Sequence, residues 1–231
     1  GLPFLRRFKN TEITATTGYE VRTFFDSPQF PGQFETFQQS VFIEPEVFWE
    51  SDNENLQFRL IPFYRADTED HRRTHFDLRE ANLRYIADAW DVQVGVGKVF
   101  WGVTESQHLI DVINQDDFVE DIDREDKLGQ QMVNLNLYRD WGTVSLFVLP
   151  GFRERTFPGE GGRLRGPFAV SEDPVYESAA EEWHTDVAVR YSHYFGDFDV
   201  GAYYFYGTGR EPRLLLDPTN AQFVPHYDLI H

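Results

Sequence analysis

Apolar and polar residues alternate one by one through most of this sequence, and no segment sustains a helical period of about 3.6 residues. Because the side chains of a strand point alternately to opposite faces, this alternation predicts β-strands with one apolar and one mixed face. Ten such segments lie near residues 19–25, 41–50, 56–65, 80–85, 92–96, 133–137, 144–150, 187–191, 200–206 and 225–231. The sequence therefore predicts an all-β fold, as a single domain over residues 1–231.

The connections between these segments alternate in length. Short turns are predicted near 51–55, 87–90, 139–142 and 195–199. Long polar loops are predicted near 26–35, 66–75, 103–130, 154–182 and 208–224. Short turns at one end and long loops at the other are typical of an antiparallel up-and-down transmembrane β-barrel. A soluble sandwich gives no reason for this alternation.

Aromatic residues make up 16% of the chain and gather beside the short turns. Examples are Trp49, Trp90, Trp141 and Phe198. A transmembrane barrel places such residues in a girdle where the membrane meets water. The alternative is a soluble sheet with aromatic residues at the end of its core.

Charge and composition exclude several classes of function. The net charge of −18 disfavours nucleic acid, because phosphates would be repelled. The absence of cysteine excludes disulfides, thiol catalysis and thiolate metal sites. No apolar run approaches the ~20 residues of a membrane helix, but a barrel strand needs only ~10 alternating residues. Residues 1–10 have basic side chains without the apolar core of a signal peptide.

Strand registers can be predicted because facing residues of a hairpin have a constant index sum and share a face. Sums of 105, 177, 281 and 393 place apolar residues opposite one another in the four hairpins. The first sum also pairs Glu46 with Arg59. Arg79 falls on the apolar face of its strand unless it lies above the membrane or past a bulge. We expect the following side chains to point to lipid: Val47, Phe58, Leu60, Val92, Val94, Leu135, Val144, Leu146, Val189 and Tyr204.

The opposite face of the predicted sheet mixes acids, bases and amides. Its charged members are predicted to line a pore: Glu20, Arg22, Glu44, Glu46, Arg59, Arg65, Arg84 and Arg190. Acidic and basic side chains facing each other across a lumen hold water and set up a transverse field. The leading functional prediction is passive diffusion of small polar solutes or ions. The alternatives are a structural or partner-binding barrel without transport, and an outer-membrane enzyme.

The long segment from about Val103 to Gln130 is rich in carboxylates. Its acidic residues suggest either a cation site or a constriction of the pore, with Asp116, Asp117, Glu120, Asp121 and Asp123 as its candidate residues. Asp121-x-Asp123-x-Glu125 offers oxygen ligands but lacks the glycine of an EF-hand, so we expect no metal. The segment also contains Leu109, Ile110, Val112, Ile113, Phe118 and Val119, which a loop surrounded by water would not need. We therefore expect it to fold into the barrel, against the alternative of a solvated surface loop.

Other motifs carry no catalytic or cofactor chemistry. His71 and His75 would lie about 13 Å apart in extended chain, too far to share a metal. Gly95 and Gly97 lack the third glycine of a dinucleotide site and are expected to thin or bend a strand. No Ser-His-Asp arrangement suggests a nucleophile. We therefore expect no enzyme activity, no catalytic residues and no cofactor.

The segment Asp91-Val-Gln-Val-Gly-Val-Gly-Lys-Val-Phe-Trp-Gly102, with the long loop after it, resembles uncharacterised porin-like outer-membrane proteins of Gram-negative bacteria. The resemblance implies a β-barrel in the outer membrane, with lipid and small polar solutes or ions as its partners. Homo-oligomers are compatible with it. Because the sequence stops at Leu229-Ile230-His231 rather than on a strand with a terminal aromatic residue, the barrel is expected to lack its C-terminal strands.

Overall fold

The computed structural model describes residues 4–99, 112–196 and 198–231. Two single-turn 3-10 helices lie at His71–Arg73 and Glu181–Trp183. The remaining regular structure consists of strands β1 (Phe4–Phe8), β2 (Thr11–Thr23), β3 (Phe37–Glu50), β4 (Leu56–Asp67), β5 (His75–Ala87), β6 (Trp90–Gly97), β7 (Gln130–Arg139), β8 (Gly142–Pro150), β9 (Val175–Tyr176), β10 (Thr185–Phe195), β11 (Phe198–Thr208), β12 (Arg213–Asp217), β13 (Gln222–Tyr227) and β14 (Leu229–Ile230).

One antiparallel sheet contains most of the chain, and the all-β prediction is confirmed. Its order is β1-β2-β3-β4-β5-β6-β7-β8-β10-β11-β14, so neighbours in sequence are neighbours in space apart from the short β9, β12 and β13. Those three strands form a second, small sheet in the order β12-β13-β9. The large sheet is open, with β1 at one edge and the two-residue β14 at the other.

Two strand assignments from the sequence are corrected at the ends of the chain. Phe4–Phe8 forms a strand that pairs with β2, although its basic residues hide the alternation. The predicted last strand at 225–231 is divided: its first part lies in β13 of the small sheet, and Leu229–Ile230 pairs with β11. The predicted loop at 208–224 likewise contains the β12–β13 hairpin.

The alternation of turns and loops is confirmed. Within the large sheet, the connections at 9–10, 51–55, 88–89 and 140–141, and the one between Phe195 and Phe198, join consecutive strands at one end of the strands, here called the turn edge. The longer connections lie at the opposite end of the strands, here called the loop edge. The chain therefore concentrates its irregular segments, and most of its charged contacts, at one end of the sheet.

Three of the four predicted registers are confirmed. Leu135 faces Leu146, Val189 faces Tyr204, and Leu83 faces Val94, as the sums of 281, 393 and 177 require. The first hairpin is shifted by two residues, because Val47 faces Leu60 rather than Phe58. The turn sets this shift, since the amide of Ser51 donates to the carbonyl oxygen of Leu56. A shift of two leaves every side chain on its predicted face.

A bulge in β5 resolves the anomaly at Arg79. Ile61 pairs with Glu80 and the next residue, Pro62, pairs with Leu78, so Arg79 is the extra residue between the two pairs. Its side chain therefore reaches the polar face, where its guanidinium group lies 3.9 Å from the centroid of the Phe63 ring. Proline provides no amide for the ladder, which makes this a suitable place for a bulge.

Gly95 thins β6, one of the two roles expected for it. Its φ of 129° lies in a region that other residues rarely adopt, and a Cβ atom there would stand 2.2 Å from the carbonyl oxygen of Ala81. The neighbouring strand can therefore approach closely only because position 95 has no side chain.

The two faces of the large sheet differ in what covers them. We call the face that packs against residues 112–129 the inner face, and the other the outer face. A cluster of buried apolar residues lies on the inner face of β7, β8, β10 and β11: Met132, Phe147, Leu149, Ala188 and Phe205, joined by Ile113. On the outer face, none of the ten residues expected to face lipid is buried. Among the described residues, no helix is long and apolar enough to span a membrane.

Candidate functional site: the inner face and its loop

Residues 112–129, here called the inner loop, lie against the inner face. Ile113 is 1% exposed and packs into the apolar cluster on β7 to β11. Its carbonyl oxygen accepts a hydrogen bond from Arg210 Nε at 3.0 Å, just beyond the end of β11. The buried amide of Asn114 donates to the carbonyl oxygens of Gly97 and Leu128, at 2.9 Å each. These contacts fix the loop at both of its ends.

A group of buried, paired charges holds the base of the inner loop. Asp116 pairs with Lys127 across the loop and with Arg155, whose Nη2 lies 2.8 Å from Asp116 Oδ2. All three side chains are buried. Arg155 also binds Glu211 at 2.9 Å, and its guanidinium group lies 4.7 Å from the centre of the Phe118 ring. Burying charges is costly unless they are paired, and here each carboxylate or guanidinium has several partners.

Glu120 fixes the tip of the inner loop to β4, away from the apolar cluster on β7 to β11. Glu120 is 4% exposed, and its Oε2 lies 2.6 Å from Nη2 of Arg65 on β4. Arg65 Nε donates to both oxygens of this carboxylate, at 2.9 and 3.0 Å. Nη1 of Arg65 donates to the hydroxyl of Ser40 on β3. A bidentate, buried guanidinium–carboxylate pair is both strong and geometrically specific.

Three further arginines complete the arginine cluster, which we define as Arg22, Arg65, Arg73 and Arg79. Arg73, in the first 3-10 helix, binds Asp67 and Glu20 at 3.1 Å and donates to the carbonyl oxygen of Val119. Arg22 on β2 binds Asp121 of the loop at 3.1 Å and contacts Glu20. The cluster thus binds loop carboxylates with one set of nitrogens and sheet carboxylates with another.

Arg79 contributes to the same cluster from the β5 bulge. Its Nη1 lies 2.7 Å from Glu44 Oε2, and its Nη2 lies 3.9 Å from Glu120. Phe63 and Phe42 form an aromatic floor below, with Arg65 4.9 Å from the centroid of Phe42. Cations over aromatic faces gain stability without needing a carboxylate for each charge.

Nearer the turn edge, the inner face is more open. Arg59 binds Glu46 at 2.6 Å and lies 3.9 Å from Glu80. Because of the register shift, Glu46 and Arg59 are diagonal neighbours rather than directly opposite, and both side chains are about one third or more exposed.

A separate network on the same part of the inner face centres on Asp91, which is buried. Its carboxylate binds Arg84 at 2.9 Å and accepts hydrogen bonds from Asn136 and the hydroxyl of Tyr138. Arg190 is half-buried on β10, with Ser145 and Tyr203 directly beside it on the neighbouring strands. The eight predicted inner-face charges therefore share one face, but they divide between the arginine cluster and this open region.

Burial perturbs the ionisation of the inner loop. It raises the pKa of the Asp117 carboxyl, and the nearby Glu120 and Asp77 raise it further, although the Thr156 hydroxyl donates a stabilising hydrogen bond at 2.6 Å. Burial also raises the pKa of Asp126. Both carboxyls therefore take up a proton more readily in the docked loop than in a loop surrounded by water.

The five predicted constriction residues differ in their positions. Asp116, Asp117 and Glu120 are buried, Asp121 is half-buried beside Arg22, and Asp123 is exposed. Of the apolar residues that suggested an inward-folding loop, Ile113 and Val119 are buried. Leu109, Ile110 and the rest of 100–111 lie outside the described residues.

The sequence did not single out three of the residues that hold the loop: Arg73, Arg155 and Lys127. Arg73 and Arg155 lie in connections rather than in strands, so alternation assigns them no face. Lys127 offered one signal, because it is the basic residue that follows the run of acids ending at Asp126.

A further layer of loop covers the loop edge. The amide of Gly159 donates to Asp70 at 2.9 Å, and that of Phe34 donates to the carbonyl oxygen of Gly161 at 3.1 Å. Arg163 donates to the carbonyl oxygens of Asp26 and Glu35, at 2.6 and 2.8 Å. The connection that follows β8 therefore reaches the β2–β3 connection across the loop edge.

In the part of the chain that the structure describes, no group of three or more His, Asp or Glu residues has the geometry of a metal site. The acidic loop is instead compensated by arginine and lysine. Comparison of the chain with protein-family models, with curated proteins and with solved structures finds no match.

Proposed function

We propose that this chain forms the wall of a β-barrel in the outer membrane of a Gram-negative bacterium, and that the barrel is a narrow channel for small polar solutes or ions. The exposed apolar outer face is the observation that carries the proposal. Val41, Ile43, Val94 and Val189 are each at least 40% exposed, on three different strands, while the inner face carries paired charges such as Arg65–Glu120. A soluble sheet would bury such a surface, since exposed patches of this size mark contact with lipid or protein.

Aromatic residues bound this apolar surface at both edges of the sheet. At the turn edge the exposed members are Tyr85, Trp90, Trp141, Phe195 and Phe198. At the loop edge they are Tyr19, Phe25, Phe37, Phe76 and Trp183. Two aromatic bands on either side of an apolar zone match the two interfaces of a membrane. Lipid is the partner that fits this pattern.

Closure of the sheet is supported by contacts between the inner loop and both ends of the sheet. Asp121 binds Arg22 on β2, and Arg124, three residues later, binds Glu211, three residues after β11. In a flat sheet these two strands would be about 38 Å apart, because eight steps of about 4.8 Å separate them. The three residues from Asp121 to Arg124 span only about 10 Å. In a flat sheet, the side chains of the two ion pairs would have to span the rest of the distance, all fully extended along one line. A sheet curled around the inner loop meets the requirement with ordinary side chains.

The inner loop would then constrict the channel. Its tip lies against β2–β4 through the arginine cluster, and its base lies against β7–β11 through Ile113 and against the connection after β8 through Asp116. Carboxylates of the loop and guanidiniums of the wall face each other, which sets up a transverse field. With a net charge of −18, the chain favours cations over anions in this channel.

Planar lipid bilayers provide the test. We expect discrete conductance steps with a preference for K⁺ over Cl⁻, and larger steps when residues Asp116–Asp126 are deleted. Once the protein is in liposomes, the lipid should shield its outer-face residues from a water-soluble paramagnetic quencher. Protein that inserts into bilayers without conducting would contradict the channel, and protein that stays in the aqueous phase would contradict the membrane assignment.

A barrel that binds a partner without transport is the second candidate. The layer held by Arg163 and Gly159 over the loop edge favours it, because that layer narrows access to the inner face. Leu214, Leu215 and Leu216 are also exposed there on β12. Insertion without conductance would select this candidate.

A further inference from the structure

A cavity of about 250 Å³ opens among the connections at the loop edge. The first 3-10 helix contributes Arg72 to its wall, the segment 154–157 follows β8, and Pro225 belongs to β13. Val119 of the inner loop forms a further part, beside Glu120. The cavity therefore adjoins the arginine cluster, because Arg73 donates to the carbonyl oxygen of Val119, and a molecule bound in the cavity would lie next to the proposed constriction.

The charged groups of the cavity wall are already paired within the protein. Arg72 binds Glu172 at 3.1 Å, and Arg155 binds Asp116 and Glu211. A charged ligand would have to break one of these pairs or remain unpaired in a half-buried site. The pair of Arg72 with the exposed Glu172 is weak, but breaking the buried pair of Arg155 with Asp116, or leaving a charge unpaired beside it, is costly. The wall thus disfavours ligands of either charge.

Glu154 is the remaining acidic group of the wall. Its carboxylate accepts a hydrogen bond from the hydroxyl of Tyr176 at 2.5 Å. Burial raises the pKa of Glu154 despite this bond, and Glu182 and Asp173 raise it further. The surroundings of Glu154 therefore disfavour its negative charge, and its carboxyl oxygens can accept hydrogen bonds from hydroxyl groups.

The apolar part of the wall provides a flat surface. Phe157 is half-buried, with its ring edge-to-face to Phe118 at 6.1 Å, while Val119 and Pro225 are buried beside it. Thr156 and Ser171 add hydroxyl groups. An apolar surface flanked by a few convergent polar groups is the usual composition of a small-molecule site.

We infer that this cavity binds a neutral polyhydroxylated molecule of the size of one sugar ring, with Phe157 against its apolar face and Glu154 bonded to its hydroxyls. The volume lies below the ~300–1,000 Å³ typical of sites for larger ligands, which limits the ligand to about one ring. That the bound molecule is a solute on its way through the channel rests on the proposed function, whereas the binding itself does not.

Three sugars of one size and different charge test the inference: glucose, glucuronate and glucosamine. Binding to the folded protein in detergent is measured by saturation-transfer NMR, with competition to rank the three. We expect glucose to bind with a millimolar Kd and each charged sugar to bind at least about tenfold more weakly, as an unpaired charge requires. Equal or tighter binding of a charged sugar would overturn the inference, and so would no binding of glucose at about 100 mM.

Variants locate the binding. Phe157→Ala and Glu154→Ala should each weaken glucose binding at least about fivefold, while Glu154→Gln retains it because an amide oxygen also accepts hydrogen bonds. Phe25→Ala is the matched control, since Phe25 is 94% exposed at the same edge and lies outside the cavity. Glucose binding that is unaffected in folded Phe157→Ala and Glu154→Ala would refute the site. Selective glucose binding without conductance would leave the cavity intact and reject the channel, and conductance without selective binding would do the reverse.

Discussion

Arg65 and Glu120 are 55 positions apart in the sequence, yet they form a buried, bidentate ion pair with an Nη2–Oε2 distance of 2.6 Å. Arg65 belongs to the wall and Glu120 to the loop that lies against it. The hydroxyl of Ser40 and the carboxylate of Glu20 also accept hydrogen bonds from Arg65, so each of its three guanidinium nitrogens has a partner in the protein. This contact determines where the tip of the inner loop lies.

Glu120→Gln should release the tip of the inner loop. Breaking a buried pair leaves Arg65 and its neighbours without compensation, and such losses are typically about 3–5 kcal/mol. We expect faster amide hydrogen exchange across 113–128 and a larger conductance in bilayers. Glu125→Gln, at an exposed position of the same loop, is the control and should change neither. Unchanged exchange in Glu120→Gln would show that the pair does not hold the loop.

A charge on the outer face should destabilise the protein in lipid. Leu146→Arg is expected to cost about 2–4 kcal/mol of folding free energy in liposomes if position 146 lies near the bilayer midplane. Ser145→Arg is the matched control, because Ser145 is adjacent in the chain and points to the inner face. Equal stability of the two variants in denaturant titrations would be incompatible with a lipid-facing outer surface.

The Glu46–Arg59 pair should matter for ion preference and little for stability. Its side chains are 31% and 45% exposed, and exposed pairs contribute only about 0–1 kcal/mol. Glu46→Gln should shift the reversal potential in a KCl gradient towards weaker K⁺ preference, because it removes a negative charge from the proposed lumen. An unchanged reversal potential would argue against a position in the path of the ions.

The docking of the inner loop should depend on pH through Asp117. Because burial raises its pKa in the docked loop, docking is fully favoured below the ordinary aspartate pKa and weakens as pH rises through the raised value. Asp117→Asn retains an acceptor for the Thr156 hydroxyl and removes the titration. It should therefore slow amide exchange of the loop at pH about 7 and leave it unchanged near pH about 4, after correction for intrinsic rates. The same effect at both pH values would mean that Asp117 does not titrate with docking.

Alternation and turn positions were sufficient to predict β2–β8, β10 and β11, their faces and three registers, but not β1 or the strands of the small sheet. In β7 and β8, for example, Leu135 and Leu146 are placed opposite each other by the alternation together with a tight turn. The register of the first hairpin was predicted wrongly. Index sums of 105 and 107 place the same residues on the same faces, and only the hydrogen bond from Ser51 to Leu56 distinguishes the two registers. The site was predicted in part: the sequence placed Arg65 on the mixed face and Glu120 in the inward-folding loop, but it did not pair them.

The sequence by itself determined the period-two strands, the apolar outer face, the mixed inner face and the alternation of short turns with long loops. These depend on residues close in the chain, where backbone geometry links side-chain direction to sequence position. Only the tertiary structure decided that a bulge turns Arg79 inward, that Arg73 and Arg155 bind the inner loop, and which carboxylate each arginine meets. Those contacts join distant strands to loops, where alternation in the sequence does not assign a side chain to a face. Several carboxylates could also pair with each arginine. Burial and hydrogen-bond geometry select among them only once the chain is folded.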